Sequence, residues 1–251
     1  MTDPAPVAPL APVPDVPTRG QVSAVADPLG WRLILGVLIT HVPVSSLVHA
    51  AEAIQVAVGS VGAEGDGHLS ADLHADRTVL RLHTVTVGAV TGHDLRLAPI
   101  ITAALSERSL RTVPGDASAA PQLIEIAIDA LDIPKIRPFW QAVTGYVDEP
   151  GPPELSDTAL LDPLRRGPAI WFQQMDAPRP HGGQERSDSG VGPRNRIHLD
   201  VDVPPELAQS RIDAALAAGG TLRDAGAAPA FWVLADAEGN EACICTWQGR
   251  D

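Results

Sequence analysis

Two stretches decide how this chain folds: Gln122-Leu-Ile-Glu-Ile-Ala-Ile-Asp129 and Arg196-Ile-His-Leu-Asp-Val-Asp-Val203. In each, branched apolar side chains alternate with others, the pattern of a strand buried on one face. Each leads into a segment with helical spacing, 134–142 with Phe139 and Trp140 in the first case and 205–217 in the second. Gly145 ends the first helix and the Gly219–Gly220 pair ends the second. Further strands are expected at 158–162 and 168–175, and again at 230–235 and 241–247. The second half of the chain therefore reads as one strand–helix–strands unit used twice, with Glu125 in the first copy corresponding to His198 in the second.

Working outward, residues 176–195 are polar, rich in Gly and Pro, and without periodicity; a loop of that length inside a domain is either functional or simply unstructured. Upstream, 113–120 reads as a linker. Before it, 31–41 (WRLILGVLITH) is a β-rich run ended by Pro43, and Ser45 or Ser46 is placed to cap a helix carrying Leu47, Ala50, Ala51, Ile54 and Val58. A Gly-rich loop at 59–67 precedes an alternating strand at 77–87. Thr91 and Asp94 form a capping-box pair opening a helix with Leu95, Leu97, Ile100, Ile101 and Leu105. Residues 1–20 hold six prolines and read as a disordered tail. The expectation is an α+β chain of two domains, 21–112 and 121–251.

Composition narrows the function classes. The chain has 251 residues and a formal charge of −13. Residues 1–112 carry seven basic and ten acidic side chains, the remainder eleven and twenty-one, so neither half is basic. That balance argues against nucleic acid and anionic membranes as partners. No apolar run approaches the ~20 residues of a membrane span. The first twenty residues lack the apolar core of a secretory leader, and Cys243 and Cys245 sit too close on one strand to pair, so a cytosolic location is expected. Seventeen of the eighteen basic residues are Arg, a bias that hints at a GC-rich, bacterial genome.

Four of the five Trp lie in the second half: Trp140, Trp171, Trp232 and Trp247. Trp171 shares strand parity with Gln173, so both are placed to line one face. A cleft walled by Trp with a few polar groups suits a flat organic ligand. The expected partner is a small molecule held against Trp171 and Trp232, with Gln173 beside the first.

Residues 120–250 resemble the glyoxalase-like branch of the vicinal-oxygen-chelate superfamily. The resemblance is carried by Phe139–Trp140 with Gly145, by Pro168-Ala-Ile-Trp-Phe-Gln-Gln174, by Asn195-Arg-Ile-His-Leu-Asp-Val201 and by Asp236-Ala-Glu-Gly-Asn-Glu-Ala-Cys243. It implies two βαβββ modules curled around one cup. Enzymes of that superfamily hold a divalent metal with two side chains per module, leaving positions open for two vicinal substrate oxygens. The equivalent positions here are Glu125, Gln173, His198 and Cys243, with Glu241 two residues away on the same face. A Cys243 ligand would favour zinc. The lead expectation is nevertheless a cup that works without a cofactor, the resemblance implying that Glu125, Gln173, His198 and Glu241 hold the small molecule beside Trp171 and Trp232; a metal-dependent lyase or dioxygenase is the alternative.

Residues 21–110 resemble pterin-4a-carbinolamine dehydratases through Trp31 and the segment 79–98, chiefly Gly88, Thr91, Asp94 and Ala98. Dehydrating a 4a-hydroxytetrahydrobiopterin needs a proton donor and a proton acceptor, work suited to histidine. The family pattern of two adjacent histidines and a third falls here on Gly67, His68 and Val85. Only His68 is retained; His83, two residues from Val85, is the substitute candidate. The resemblance thus implies a degenerate domain beside the cup, or an active lyase using His68 and His83, and it implies a homo-oligomer.

Overall fold

A computed structural model describes residues 16–115, 121–150, 159–177 and 197–250. It divides into two units, Met1–Leu123 and Ile124–Asp251. The expected loop at 176–195 and most of the expected tail lie outside the described residues.

The first unit begins with α1, Arg19–Ala26, inside what the prolines marked as tail. Its start is fixed by a capping box in which Thr18 and Gln21 satisfy each other's backbone. The run 31–41 is two strands rather than one: β1 (Arg32–Ile34) and β2 (Val37–Pro43), paired with Ile34 opposite Val37. Between them Leu35 and Gly36 both take positive φ, 48° and 76°, the conformation a two-residue hairpin requires. Then come α2 (Leu47–Val61), β3 (Leu69–Leu73), β4 (Arg77–Leu82) and α3 (Gly92–Ser106). The sheet order is β1-β2-β4-β3, all antiparallel. Leu38, Val42, Leu80 and Leu82 point to one face and pack with Ala53, Ala57, Leu97 and Ile101 of α2 and α3. Trp31 is fully buried in this core, and its indole N–H donates to Thr102 Oγ1 at 3.0 Å.

The second unit contains β5 (Glu125–Ala130), α4 (Ile133–Thr144), β6 (Val147–Asp148), β7 (Ala159–Leu161) and β8 (Ala169–Gln174). These are followed by β9 (Leu199–Asp202), α5 (Pro205–Ala217), β10 (Thr221–Asp224), β11 (Phe231–Ala235) and β12 (Glu241–Cys245). The sheets run β5-β8-β7-β6 and β9-β12-β11-β10. In both, the first strand lies parallel to the last and the rest are antiparallel, so the duplication expected from sequence is a duplication of topology. Ile128, Ala130, Ile170 and Phe172 from one sheet, and Leu234, Ala242 and Ile244 from the other, join Phe139 and Trp140 of α4 and Ile212 of α5 in a single core.

One repeated device is an aspartate closing the last hairpin of each module. Asp162 accepts from the backbone N–H groups of Leu164, Arg166 and Gly167. Asp236 accepts from those of Glu238 and Asn240. Among the described residues no helix is long and apolar enough to cross a membrane.

Candidate functional site

Strand alternation sorts the candidate residues of the second unit. On β8, Ile170 and Phe172 enter the core, so Trp171 and Gln173 face away from the helices. On β5 the same alternation turns Glu125 and Asp129 outward, with Ala127 paired to Trp171 and Asp129 to Gln173. Trp171 is 36% exposed, a large apolar surface for a strand residue. Beyond β6, burial raises the Glu149 carboxyl; the Arg165 charge opposes that and the Glu125 charge adds to it. Glu149, which the sequence did not single out, is thus close enough to feel both the Arg165 and the Glu125 charge.

In the second module, Leu199 and Val201 of β9 pack on the core, which turns His198, Asp200 and Asp202 the other way. Asp200 is registered against Cys243 on β12. His198 Nε2 and Asp200 Oδ1 are 3.2 Å apart. One ligand atom each from His198, Asp200 and Cys243 lies within 4.8 Å of the others. Burial first, then the charge of Asp200 and a hydrogen bond to it, push the Cys243 thiol up to about 12; Cys245 and Glu241 add to the shift. Of the five expected metal positions, the structure draws His198 and Cys243 together. It adds Asp200, which the two-residue spacing from His198 could have revealed. Glu125, Gln173 and Glu241 are not part of this trio.

Trp232, expected on the ligand side, is placed on the core side instead. It shares parity with buried Leu234 and packs against the hydrophobic cluster. Phe231 and Val233 face the direction assigned to Trp232, with Val233 opposite Cys243.

In the first unit His68 meets a buried polar network. Its Nδ1 lies 2.8 Å from Asp94 Oδ1, and Asp94 is fully buried. Asp94 Oδ2 accepts from Thr84 Oγ1 at 2.8 Å and from the Thr91 backbone N–H at 2.7 Å. A carboxylate in that position draws the N–H of a neutral imidazole to Nδ1, leaving Nε2 with its lone pair. His93 stacks on His68 with ring centroids 4.4 Å apart. The His93 Nε2–H donates to the Glu64 carbonyl, while its Nδ1 accepts from Arg96. From the 83–85 segment, Thr84 Oγ1 lies 3.2 Å from His68 Nδ1. His83 is buried, and its backbone N–H donates to the His68 carbonyl. Gly67 holds φ +74°, and Val85 is exposed.

Comparison with known proteins now places the second unit. Residues 125–245 match the family model of the glyoxalase-like domain. That region is a glyoxalase-like domain of the vicinal-oxygen-chelate type, as the twice-used βαβββ topology indicates. The match begins at Glu125 and leaves the first unit outside it. Among solved structures, the chain is similar to a glyoxalase/bleomycin resistance protein/dioxygenase family enzyme from Burkholderia phytofirmans PsJN at 21% identity, covering 49% of this chain and 95% of that one with a TM-score of 0.34. A glyoxalase/dioxygenase from Nostoc punctiforme is 15% identical over 53% of this chain and 97% of its own, with a TM-score of 0.36. A lactoylglutathione lyase from Agrobacterium tumefaciens is 13% identical over 51% and 96%, with a TM-score of 0.33. No curated protein matches the chain.

Proposed function

We propose that the glyoxalase-like domain binds a small, flat organic molecule on the helix-free faces of its two sheets, without needing a metal. The observation that carries this reading is Trp171, half out of the core and flanked on its own face by Gln173, Asp129 and Glu125. An indole supplies stacking area, and the carboxylates favour a ring bearing N–H donors, as a pterin-like or aminated aromatic does. In this reading the first unit is a degenerate dehydratase-like domain, and the chain assembles as a homo-oligomer. The test is a thermal-shift screen of N–H-rich aromatics followed by fluorescence titration. A hit should quench Trp emission, lose affinity in Trp171→Ala, and keep its affinity after chelator treatment. A screen without any such hit counts against the proposal.

A second reading, a metal-dependent lyase or dioxygenase, is favoured by the His198–Asp200–Cys243 trio. One nitrogen, one oxygen and one sulfur donor is a set that zinc accepts, with a position left for substrate or water. A bound metal would supply Lewis-acid activation there; His198, Asp200 and Cys243 would hold it, and Glu241 would keep the surroundings acidic. About one equivalent of divalent metal per chain, lost in Cys243→Ala, supports this reading. A metal-free protein from supplemented medium removes it.

A third reading, 4a-hydroxytetrahydrobiopterin dehydration by the first unit, is favoured by the Asp94-held tautomer of His68. His68 Nε2 would exchange the proton, and Asp94 would position the ring. His83, whose backbone N–H donates to the His68 carbonyl, would be the second histidine of the pair. No carbinolamine dehydration by the wild type, or an undiminished rate in His68→Ala, removes this reading.

A further inference from the structure

The sheet of the first unit has a second face, away from α2 and α3. Because Leu38, Leu80 and Leu82 point to the helices, the alternate residues Ile39, His41, Val79 and Arg81 point the other way. On this face lies a cavity of about 250 Å³. Ile39 and Val79 form an apolar floor, and Arg77 and Arg81 stand on β4 on either side of Val79. Four residues of strand separate the two arginines by about 13 Å at Cα. Asp72 and His74 line it from β3 and its end, and residues 121–123 close one rim. Two arginines lining one small space, against one aspartate there, leave it an excess of positive charge in a chain whose net charge is −13.

The carboxylates nearby do not use up these cations. Arg81 Nη2 bonds Asp72 Oδ2 at 2.6 Å and Arg77 Nη1 bonds Asp76 Oδ2 at 2.6 Å. Each is a single contact from a group with five N–H donors. Both carboxylates are about half or more exposed, 48% for Asp72 and 69% for Asp76, so water screens the pairs and their hold is weak. Asp76 does not line the cavity at all.

We infer that this cavity is a binding site for a small organic dianion, one anionic group at Arg77 and the other at Arg81, with the apolar body over Ile39 and Val79. Charge-assisted bonds at two ends and an apolar middle discriminate against singly charged ions, which engage one arginine only. The volume, below the usual range for drug-sized ligands, limits the guest to a few carbon atoms. The site lies on the opposite face of the sheet from the core packed beneath α2 and α3, and it is independent of the function proposed for the glyoxalase-like domain.

The test uses the full chain, with glutarate as probe and acetate as its singly charged control, followed by calorimetry and by amide shifts in heteronuclear NMR. Glutarate should saturate one site, with shifts centred on β2, β3 and β4, and bind at least about tenfold tighter than acetate. Arg77→Gln and Arg81→Gln should each weaken it about tenfold or more. Asp72→Asn, which removes the competitor for Arg81, should tighten it about two- to fivefold. That gain is a sign that a merely structural Asp72 would not give. Trp171→Phe should leave glutarate binding unchanged. Absence of saturable glutarate binding, equal binding of acetate, or indifference to both arginine substitutions overturns the inference.

Discussion

The indole N–H of Trp140 donates to Asp236 Oδ2 at 2.9 Å, so a helix of the first βαβββ module is tied to the hairpin of the second. Asp236 is almost wholly buried and also accepts from two backbone N–H groups and the Asn240 amide. Glu238, two residues on, caps the start of α4 by accepting from the Leu131 and Asp132 backbones. Asp236→Ala should therefore destabilise the glyoxalase-like unit by about 3 kcal/mol or more, because it strands four donors. Trp140→Phe, which keeps most of the ring and loses one bond, should cost about 1–2 kcal/mol. Urea unfolding followed by circular dichroism reads both; equal costs would mean that the hydrogen bonds do not set the difference.

In the first unit, Asp94 has the corresponding burden. Asp94→Ala leaves the His68 N–H, the Thr84 hydroxyl and the Thr91 backbone N–H without their acceptor and removes one half of the capping box of α3. A loss of about 2–4 kcal/mol is expected in thermal or urea unfolding. Asp94→Asn, which can still accept, should lose less. In NMR of its imidazole nitrogens, the His68 tautomer should shift away from Nδ1–H in Asp94→Ala.

Asp162 gives a pH signature. Burial opposes its charge, but three backbone N–H donors and the Arg166 charge outweigh that and hold the carboxyl below the ordinary aspartate range. A carboxyl lower in the folded than in the unfolded chain adds stability above its unfolded value, about 3.9. That contribution is lost as pH falls through the folded value. The Asp162 contribution to the stability of the second unit should thus fade as pH falls below about 4. Asp162→Asn should be less stable at pH 7 and show a flatter acid limb; parallel limbs would contradict this.

Two glycines with similar φ should respond differently to alanine. Gly30 (φ +81°) would drive a Cβ into the Thr112 carbonyl, which is backbone. Gly145 (φ +73°) would meet only the end of the Arg211 side chain. Gly145→Ala should cost about 1 kcal/mol, the ordinary penalty at a helix C-terminus, and Gly30→Ala clearly more. Thermal unfolding of the two variants decides the order.

The alternation in 122–129 and 196–203 was enough to find the doubled module, because burying one face of a strand leaves a period of two in the sequence. Strands that are exposed along most of their length leave no such trace. β3, with the exposed pattern of Leu-Ser-Ala-Asp-Leu, and β10, exposed along its length, were not legible. Nor was the fold-back at Leu35–Gly36, where leucine adopts positive φ inside an apolar run. At the candidate sites, residue type was legible and direction was not. Thr84, which the sequence did not single out, lies against His68, and Trp232 turns toward the core because it shares parity with Leu234. Asp200 was hidden by its bland place in an alternating strand, although register sets it opposite Cys243.

The parallel pairing inside each module has a consequence for how the chain acquires its shape. Glu125 is registered against Ala169 and Leu199 against Ala242, so each sheet closes only when segments more than forty residues apart meet. As the polypeptide emerges during synthesis, β5 and later β9 must wait, edge open, for β8 and β12. Helices α4 and α5 form in the interval and shield one side of the waiting strand. This is a high-contact-order route, and the first unit takes it too at its centre, where Leu38 of β2 meets Leu82 of β4 only after α2 and β3 have been made.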